Sequence, residues 1–140
     1  MIQKVNKQRK KRWFILLGEN DMKAIIHKIH DTEIVEILSD KIIIQKAEDA
    51  LSIMGDYYFQ GFDHLIFHQN GITDDFFDLK NGLAGEILQK FSTYRMKFAI
   101  VGDFSRFTSK SVHEFIFESN KGKQIIFVDS VASAIDIFGE

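Results

Sequence analysis

The sequence predicts an α/β domain in which a mixed, largely parallel sheet of about five strands carries helices on its faces. Two observations lead to this fold class. Apolar runs of strand length alternate with segments that have helical spacing, and the predicted order is β-β-α-β-α-β-α-β-α. Alternating strands and helices require right-handed crossovers and a mostly parallel sheet. The 140 residues are the size of one domain, and we find no internal repeat.

A hairpin opens the predicted domain. Residues 23–29 and 33–38 are apolar-rich runs separated by His30-Asp31-Thr32, a pattern typical of two antiparallel strands joined by a turn. A first helix is predicted over residues 46–60, where apolar side chains recur at helical spacing. Gly61 is expected to end this helix.

The remaining elements follow in alternation. A third strand is predicted over residues 62–67, and Asn70-Gly71 marks a turn. Residues 74–94 have the periodicity of a second helical region. The later elements are a buried strand over 97–101, a helix opened by a capping box at Ser111–Glu114 and continuing to 118, a strand over 124–128 and a helix over 131–138.

The first 21 residues differ in composition from the rest. Positions 1–12 hold six basic residues and no acid, whereas positions 13–140 hold 12 basic and 20 acidic residues, a net charge of −8. This segment has three interpretations: a basic arm for nucleic acid or anionic lipid, a disordered or loosely docked extension, or untranslated sequence before a true start at Met22. The acidic remainder disfavours nucleic-acid binding outside this segment.

The composition indicates a cytoplasmic protein with no cofactor and no metal. The chain has no cysteine, which excludes disulfides and thiolate metal sites. Residues 13–17 are apolar but too few for a signal core or a membrane span. Fourteen phenylalanines supply a bulky core, and an exposed apolar patch among them would serve homo-oligomer formation.

The five histidines are predicted to be surface or half-buried residues rather than ligands. His64 and His68 are four residues apart on a strand, so their Cα atoms lie roughly 13 Å apart and cannot share one metal. His27 and His30 are three residues apart at a strand end, which places them on opposite faces. No nucleophile elbow, P-loop or dinucleotide-binding glycine motif is present in the sequence.

The best candidate site lies beyond a central strand. Residues 97–101 read as a buried strand, so Asp103 is expected at its carboxyl end, where ligands bind in open α/β sheets. Ser109, Lys110 and Ser111 then lead into a helix N-terminus, which attracts anions. We therefore expect a small anionic ligand or a protein partner here, with Asp103 accepting a hydroxyl or amine. The alternative is a plain strand-to-helix turn.

A second group of candidates lies in the 74–94 region. At 100° per residue, Asp78, Gly82, Gly85 and Gln89 share one face, which predicts a shallow groove for a partner or ligand. The alternative is a helix break at Asn81-Gly82, with glycine required only for the turn. The further candidate binding residues are Lys80 and Glu86.

A long block of the sequence resembles an uncharacterised bacterial family, domain of unknown function 4180. The resemblance rests on residues 76–91, which read FFDLKNGLAGEILQKF, and on the segments YRMK at 94–97, AIVGD at 99–103, TSKS at 108–111 and ESNKG at 118–122. It covers roughly residues 22–138 and implies no known activity.

The order of elements is also similar to the STAS and SpoIIAA-like folds, small domains that bind partners, nucleotides or lipids. This similarity implies a binding or regulatory domain. The competing class is a small acid-base enzyme that uses the carboxylates of Asp78, Glu86 and Asp103. An enzyme should bring these acids together in one cleft, whereas a binding domain has no such requirement.

Overall fold

The computed structural model describes residues 2–7, 12–17 and 22–140. In chain order its strands and α-helices are β1 (Ile2–Lys7), β2 (Arg12–Leu17), β3 (Met22–Ile29), β4 (Thr32–Leu38), α1 (Ala47–Tyr58), β5 (His64–His68), α2 (Leu83–Thr93), β6 (Lys97–Val101), α3 (Lys110–Gly122), β7 (Ile125–Val128) and α4 (Val131–Phe138). Three short 3₁₀ helices, Gln69–Gly71, Asp74–Phe77 and Leu79–Asn81, lie between β5 and α2.

The sheet is mixed, and its strands lie side by side in the order of the sequence, from β1 to β7. Neighbouring strands from β1 to β4 are antiparallel, and those from β4 to β7 are parallel. Residues 22–140 supply five strands, in which three of the four pairings are parallel, as the sequence predicts. The backbones of β1 and β2 extend this sheet beyond β3.

The strand order explains where the helices lie. Each right-handed crossover advances the chain to the next strand in the same direction, so successive crossover helices lie on one face. Buried residues of α1, α2 and α3 accordingly pack with one set of strand side chains, including Val35, Leu65 and Phe98. The other face packs against α4, where Ala134 and Phe138 contact a smaller cluster.

Aromatic packing fixes the segments that follow β5 and β6. Phe77 in the second 3₁₀ helix lies 4.3 Å from Phe107, ring centroid to ring centroid, and 5.7 Å from Phe104. Phe104 in turn contacts Phe127 of β7 at 5.4 Å. Such ring pairs stabilise by about 0.5–1.5 kcal/mol each beyond their burial. The loop after β6 is therefore held against the segment that precedes α2.

Two predicted helices differ from the structure. Residues 74–94 do not form one helical region, because α2 begins only at Leu83, after a residue, Gly82, with a left-handed φ of 81°. This conformation suits glycine, so the turn interpretation of Asn81-Gly82 holds. The helix α3 begins at Lys110 rather than at a Ser111 capping box, because Ser109 is the N-cap and accepts a hydrogen bond from the Val112 N–H.

Within the described residues, no helix is long and apolar enough to cross a membrane.

Candidate functional site

The carboxyl ends of β5, β6 and β7 meet at one edge of the sheet, which we call the carboxyl edge. His68, Val101 and Val128 end these strands. Backbone and side-chain hydrogen bonds tie the segments beyond them together. The Gly102 N–H donates to the Val128 carbonyl at 3.0 Å, and the Asp103 N–H donates to Gln69 Oε1 at 3.0 Å. The candidate Asp103 therefore has a fixed position at this edge, as the sequence predicts for a residue after a parallel strand.

The Asp103 carboxylate is oriented by its own loop. The Ser105 N–H donates to Asp103 Oδ1 at 3.0 Å. Hydrogen bonds from the Ser105 side chain and backbone lower the pKa of Asp103 below its usual value of 3.8. The carboxylate is exposed and is an acceptor at neutral pH.

A second polar contact joins the loop after β6 to the segment before α2. The Arg106 guanidinium makes a bidentate ion pair with the Asp74 carboxylate, with Nη1 3.1 Å from Oδ2. The Arg106 guanidinium also lies over the Phe107 ring, 4.5 Å from its centroid. The hydrogen bond from Arg106 lowers the pKa of Asp74, whose side chain is well exposed. This pair closes one side of the carboxyl edge.

Two clefts open at the carboxyl edge, and Asp103 lines both. The first has a volume of about 560 Å³ and is lined by Ile42, Gln69, Asn70, Ile72, Thr73, Asp74, Asp103 and Arg106. The second is a wider groove of about 930 Å³ beside α4, lined by Gly102, Asp103, Phe104, Phe127, Val128, Asp129, Ser133 and Ile137. Both volumes are within the range of clefts that hold small ligands.

The other predicted residues after β6 lie outside these clefts. The Ser109 hydroxyl caps α3 by accepting from the Val112 N–H at 3.4 Å. Lys110 and Ser111 are exposed in the first turn of α3 and line neither cleft. The helix N-terminus that the sequence assigns to an anion is thus separate from the clefts at Asp103.

The predicted residues of the 74–94 region are divided between different surfaces. Glu86 lines a cleft of about 350 Å³ with Lys46, Asp75 and Asn81, and Asp103 is not among the residues that line it. Asp78 and Lys80 lie in the short 3₁₀ segments. Gly82 forms the turn, and Gly85 is exposed in α2 with open space around its Cα. The shared helical face of Asp78, Gly82, Gly85 and Gln89 does not exist, because the helix begins after Gly82.

The sequence analysis missed a polar cluster on the α4 side of the sheet, and its expectation of surface or half-buried histidines is wrong for His27, which is buried there. Glu36 of β4 is only 6 % exposed, and its carboxylate contacts two histidines on the neighbouring strands. His27 Nε2 lies 2.8 Å from Glu36 Oε1, and His68 Nε2 lies 2.7 Å from Glu36 Oε2. A signal existed in the sequence: an acid within the apolar run Ile-Val-Glu-Ile-Leu requires a buried partner.

The cluster controls the charge of Glu36. Burial opposes ionisation, but the hydrogen bonds from His27 and His68 outweigh it and lower the pKa of Glu36 from 4.5 to about 2. With a proton on Nε2, each imidazole donates to one carboxylate oxygen, so the buried charge has two donors. The third histidine on this face, His64, instead contacts Asp63 at 2.7 Å, Nδ1 to Oδ1.

In the parts of the chain that the structure describes, no group of three or more histidine or carboxylate side chains is arranged to hold a metal ion. At the carboxyl edge, Asp103 supplies a hydrogen-bond acceptor and the Arg106–Asp74 pair supplies charged groups.

Comparison with known proteins identifies the family. No curated protein matches the sequence. One family model, described as "Domain of unknown function (DUF4180)", matches residues 29–138, which include β4 to β7 and all four α-helices. This match spans well over half of the chain and agrees with the resemblance drawn from residues 76–122. The chain therefore belongs to the family of domain of unknown function DUF4180.

Proposed function

We propose that this domain is a non-catalytic binding module whose site is the pair of clefts at the carboxyl edge. The observation that carries the proposal is the position of Asp103: an exposed carboxylate, fixed by Ser105 and Gln69, that lines both clefts. Ligands of open α/β sheets bind beyond the carboxyl ends of the strands. A fixed acceptor in such a place orients a ligand at little entropic cost.

The lining of the clefts favours a small polar ligand with hydroxyl or amine donors. Asp74, Asp103 and Asp129 line the two clefts. Within the described part of the chain, Arg106 is the one cation among the lining residues, and it is already paired with Asp74. Asp103 accepts from a hydroxyl or an ammonium group with equal geometric ease. Lys110 and Ser111 line neither cleft, so a small ligand held at Asp103 would not reach them. A protein partner large enough to cover both places would contact them with an anionic group.

The placement of the carboxylates favours binding over acid-base catalysis. General acid-base chemistry requires its groups within hydrogen-bonding reach of one substrate. Asp103 lines the two clefts at the carboxyl edge, and Glu86 lines a different cleft. Asp78 lines none of these three clefts. The similarity of the element order to STAS and SpoIIAA-like domains supports the same choice, and with it a regulatory role in the cytoplasm.

Native mass spectrometry of the full chain, purified from its own host, tests the proposal. We expect a small-molecule adduct on the wild-type chain that is lost in Asp103→Asn, because the amide is a poorer acceptor and is neutral. Asp136→Asn is the matched control, since Asp136 is an exposed acid on α4 that lines neither cleft.

Titration with ethanolamine and glycerol provides a second measurement for a ligand that dissociates during purification. Backbone amide NMR shifts should concentrate at residues 69–74 and 102–106 in the wild-type chain and in Asp136→Asn, and should vanish in Asp103→Asn. An adduct retained by Asp103→Asn, or probe shifts spread evenly over the surface, would contradict the proposed site.

A further inference from the structure

A separate cleft lies between α1 and α2, near the carboxyl-terminal ends of both helices. Helices that connect parallel strands run antiparallel to them, so this cleft opens at the opposite edge of the sheet from Asp103. It has a volume of about 220 Å³ and is lined by Leu51, Met54, Gly55, Tyr58, Phe59, Lys90 and Tyr94. Its lining is aliphatic and aromatic apart from one lysine.

Three aromatic residues at this cleft are unusually exposed. Phe59 is 87 % exposed, Tyr58 44 % and Tyr94 47 %. Their rings nevertheless contact one another edge to face: Tyr58 lies 5.8 Å from Phe59 and 5.4 Å from Tyr94, between ring centroids. Exposed contiguous aromatic surface with two polar hydroxyl ends is characteristic of binding sites rather than of ordinary surface.

One of the residues that line the cleft is a glycine, Gly55. Gly55 lies in the last turn of α1, and glycine within a helix costs up to about 1 kcal/mol relative to alanine. A Cβ atom at this position would meet nothing within 4 Å, so no packing within the described chain requires glycine. Its φ is ordinary, so no backbone conformation requires it either. The absence of a side chain at residue 55 does have one effect, which is to keep the cleft open.

Among the residues that the structure describes, the Lys90 ammonium is the single charge in the lining of this cleft. No acidic residue lines the cleft, and Lys90 makes no ion pair with any of the residues that the structure describes. An ammonium beside an apolar surface is complementary to a carboxylate attached to an apolar group. The volume is enough for one aromatic ring or a short alkyl chain.

We propose that this cleft binds a small monocarboxylate with an aromatic or short aliphatic tail. The tail packs over Gly55 against Tyr58 and Met54, and the carboxylate accepts from Lys90. The site is independent of the proposed function at the carboxyl edge, which uses other residues at the opposite edge of the sheet.

Phenylacetate is the probe that tests this site. Titration into the ¹⁵N-labelled full chain should give saturable amide shifts at residues 51–59 and 90–94. Gly55→Leu should abolish these shifts, because a leucine side chain at this lining position would fill part of the cleft. This variant raises helix propensity, so its melting temperature should not fall.

The charge requirement is tested separately. Lys90→Gln should weaken phenylacetate binding about tenfold, the loss expected for one charge-assisted hydrogen bond. Lys28→Gln removes an exposed lysine of β3 that does not line the cleft and should bind as the wild type does. Phenylacetamide is neutral and cannot form the ion pair with Lys90. Its affinity for the wild-type chain should therefore be about as low as that of phenylacetate for Lys90→Gln.

Several results would overturn the assignment. Binding of phenylacetate that survives in folded Gly55→Leu, or no saturable shifts in the wild type, would show that the cleft is not the site. Equal affinity for phenylacetamide would show that the ligand is not a carboxylate. Because Asp103→Asn leaves this cleft unchanged, it should retain phenylacetate binding, which keeps a failure here distinct from a failure at the carboxyl edge.

Discussion

Glu36 Oε1 and His27 Nε2 lie 2.8 Å apart on adjacent antiparallel strands, in two residues that are each less than one tenth exposed. The other oxygen of the same carboxylate accepts from His68 on the next strand. One buried negative charge thus links β3, β4 and β5, across the junction between the antiparallel and parallel parts of the sheet. Removal of either partner from such a pair leaves an uncompensated polar group.

Glu36→Gln should destabilise the fold by roughly 1–3 kcal/mol at pH 7, because the amide replaces one strong acceptor with a donor that opposes an imidazole donor. The free energy of unfolding in urea measures this. Glu33→Gln, at an exposed position on the same strand, is the matched control and should change stability by less than about 0.5 kcal/mol. Equal stabilities of the two variants would contradict a structural role for the cluster.

The stability of the wild-type chain should fall in acid. The pKa of Glu36 is about 2 in the folded chain and 4.5 when unperturbed, so its contribution is complete above pH 4.5 and is lost as the pH falls toward 2. Urea unfolding at pH 5, 4 and 3 should show this decline. The decline should be shallower in Glu36→Gln, and a parallel pH profile for the two chains would contradict the assignment.

Gly102→Ala should disturb the carboxyl edge. A Cβ atom at residue 102 would overlap the Gln69 side chain, whose Oε1 accepts from the Asp103 N–H. Displacement of Gln69 should cost roughly 1–3 kcal/mol of stability and accelerate hydrogen exchange at the Asp103 amide. Gly122→Ala is the control, because a Cβ there meets nothing within 4 Å. Unchanged exchange at Asp103 would show that Gln69 does not hold this loop.

Gly85→Leu should leave the fold intact or raise its melting temperature. Gly85 is exposed in α2, and a Cβ there meets nothing within 4 Å, so the gain in helix propensity of about 1 kcal/mol should dominate. If this surface contacts a partner, binding or assembly should be lost while the fold is kept. Thermal unfolding together with sedimentation velocity separates the two effects, and severe unfolding would show that Gly85 is buried by the domain itself.

A chain that starts at Met22 should fold and unfold cooperatively at a similar temperature. The two core clusters of the described residues are built from positions 22–138, and the family match begins at residue 29. Loss of β1 and β2 leaves β3 as the edge strand, so self-association should increase at high protein concentration. Differential scanning calorimetry measures the melting temperature and the cooperativity of unfolding, and light scattering measures self-association. Insolubility or a large fall in melting temperature would contradict this expectation.

The regular elements were predictable where their periodicity is local. The strand over 97–101 and the helix over 131–138 have the predicted bounds, since each combines one apolar pattern with clear breaks on both sides. The 74–94 region was not, because its apolar spacing continues across two 3₁₀ helices, the extended backbone of Asp78 between them and the left-handed Gly82. The spacing of apolar residues does not reveal a turn such as the one at Gly82, because the spacing is the same before and after it.

The polar groups likewise include one whose position the sequence predicts and others whose contacts it does not. The position of Asp103 was predictable because it follows a recognisable strand, and the carboxyl ends of parallel strands share an edge whatever the order of those strands. The contacts of Glu36 depend on which strands are neighbours and on their register, which brings together residues 27, 36 and 68. The Arg106–Asp74 pair likewise joins residues 32 positions apart through loops with no periodicity.

The order of the strands has a consequence for how the chain acquires its structure. Every strand from β2 to β7 hydrogen-bonds to the strand made immediately before it, so no pairing waits for a distant segment. The loss of chain entropy on closing each connection is therefore small and is incurred in successive steps. During synthesis, which proceeds from the amino terminus, each new strand emerges beside a completed neighbour. The helix α4 follows β7 and covers the second face, so the smaller core between α4 and the sheet can form only after the four strands that it packs against have been made.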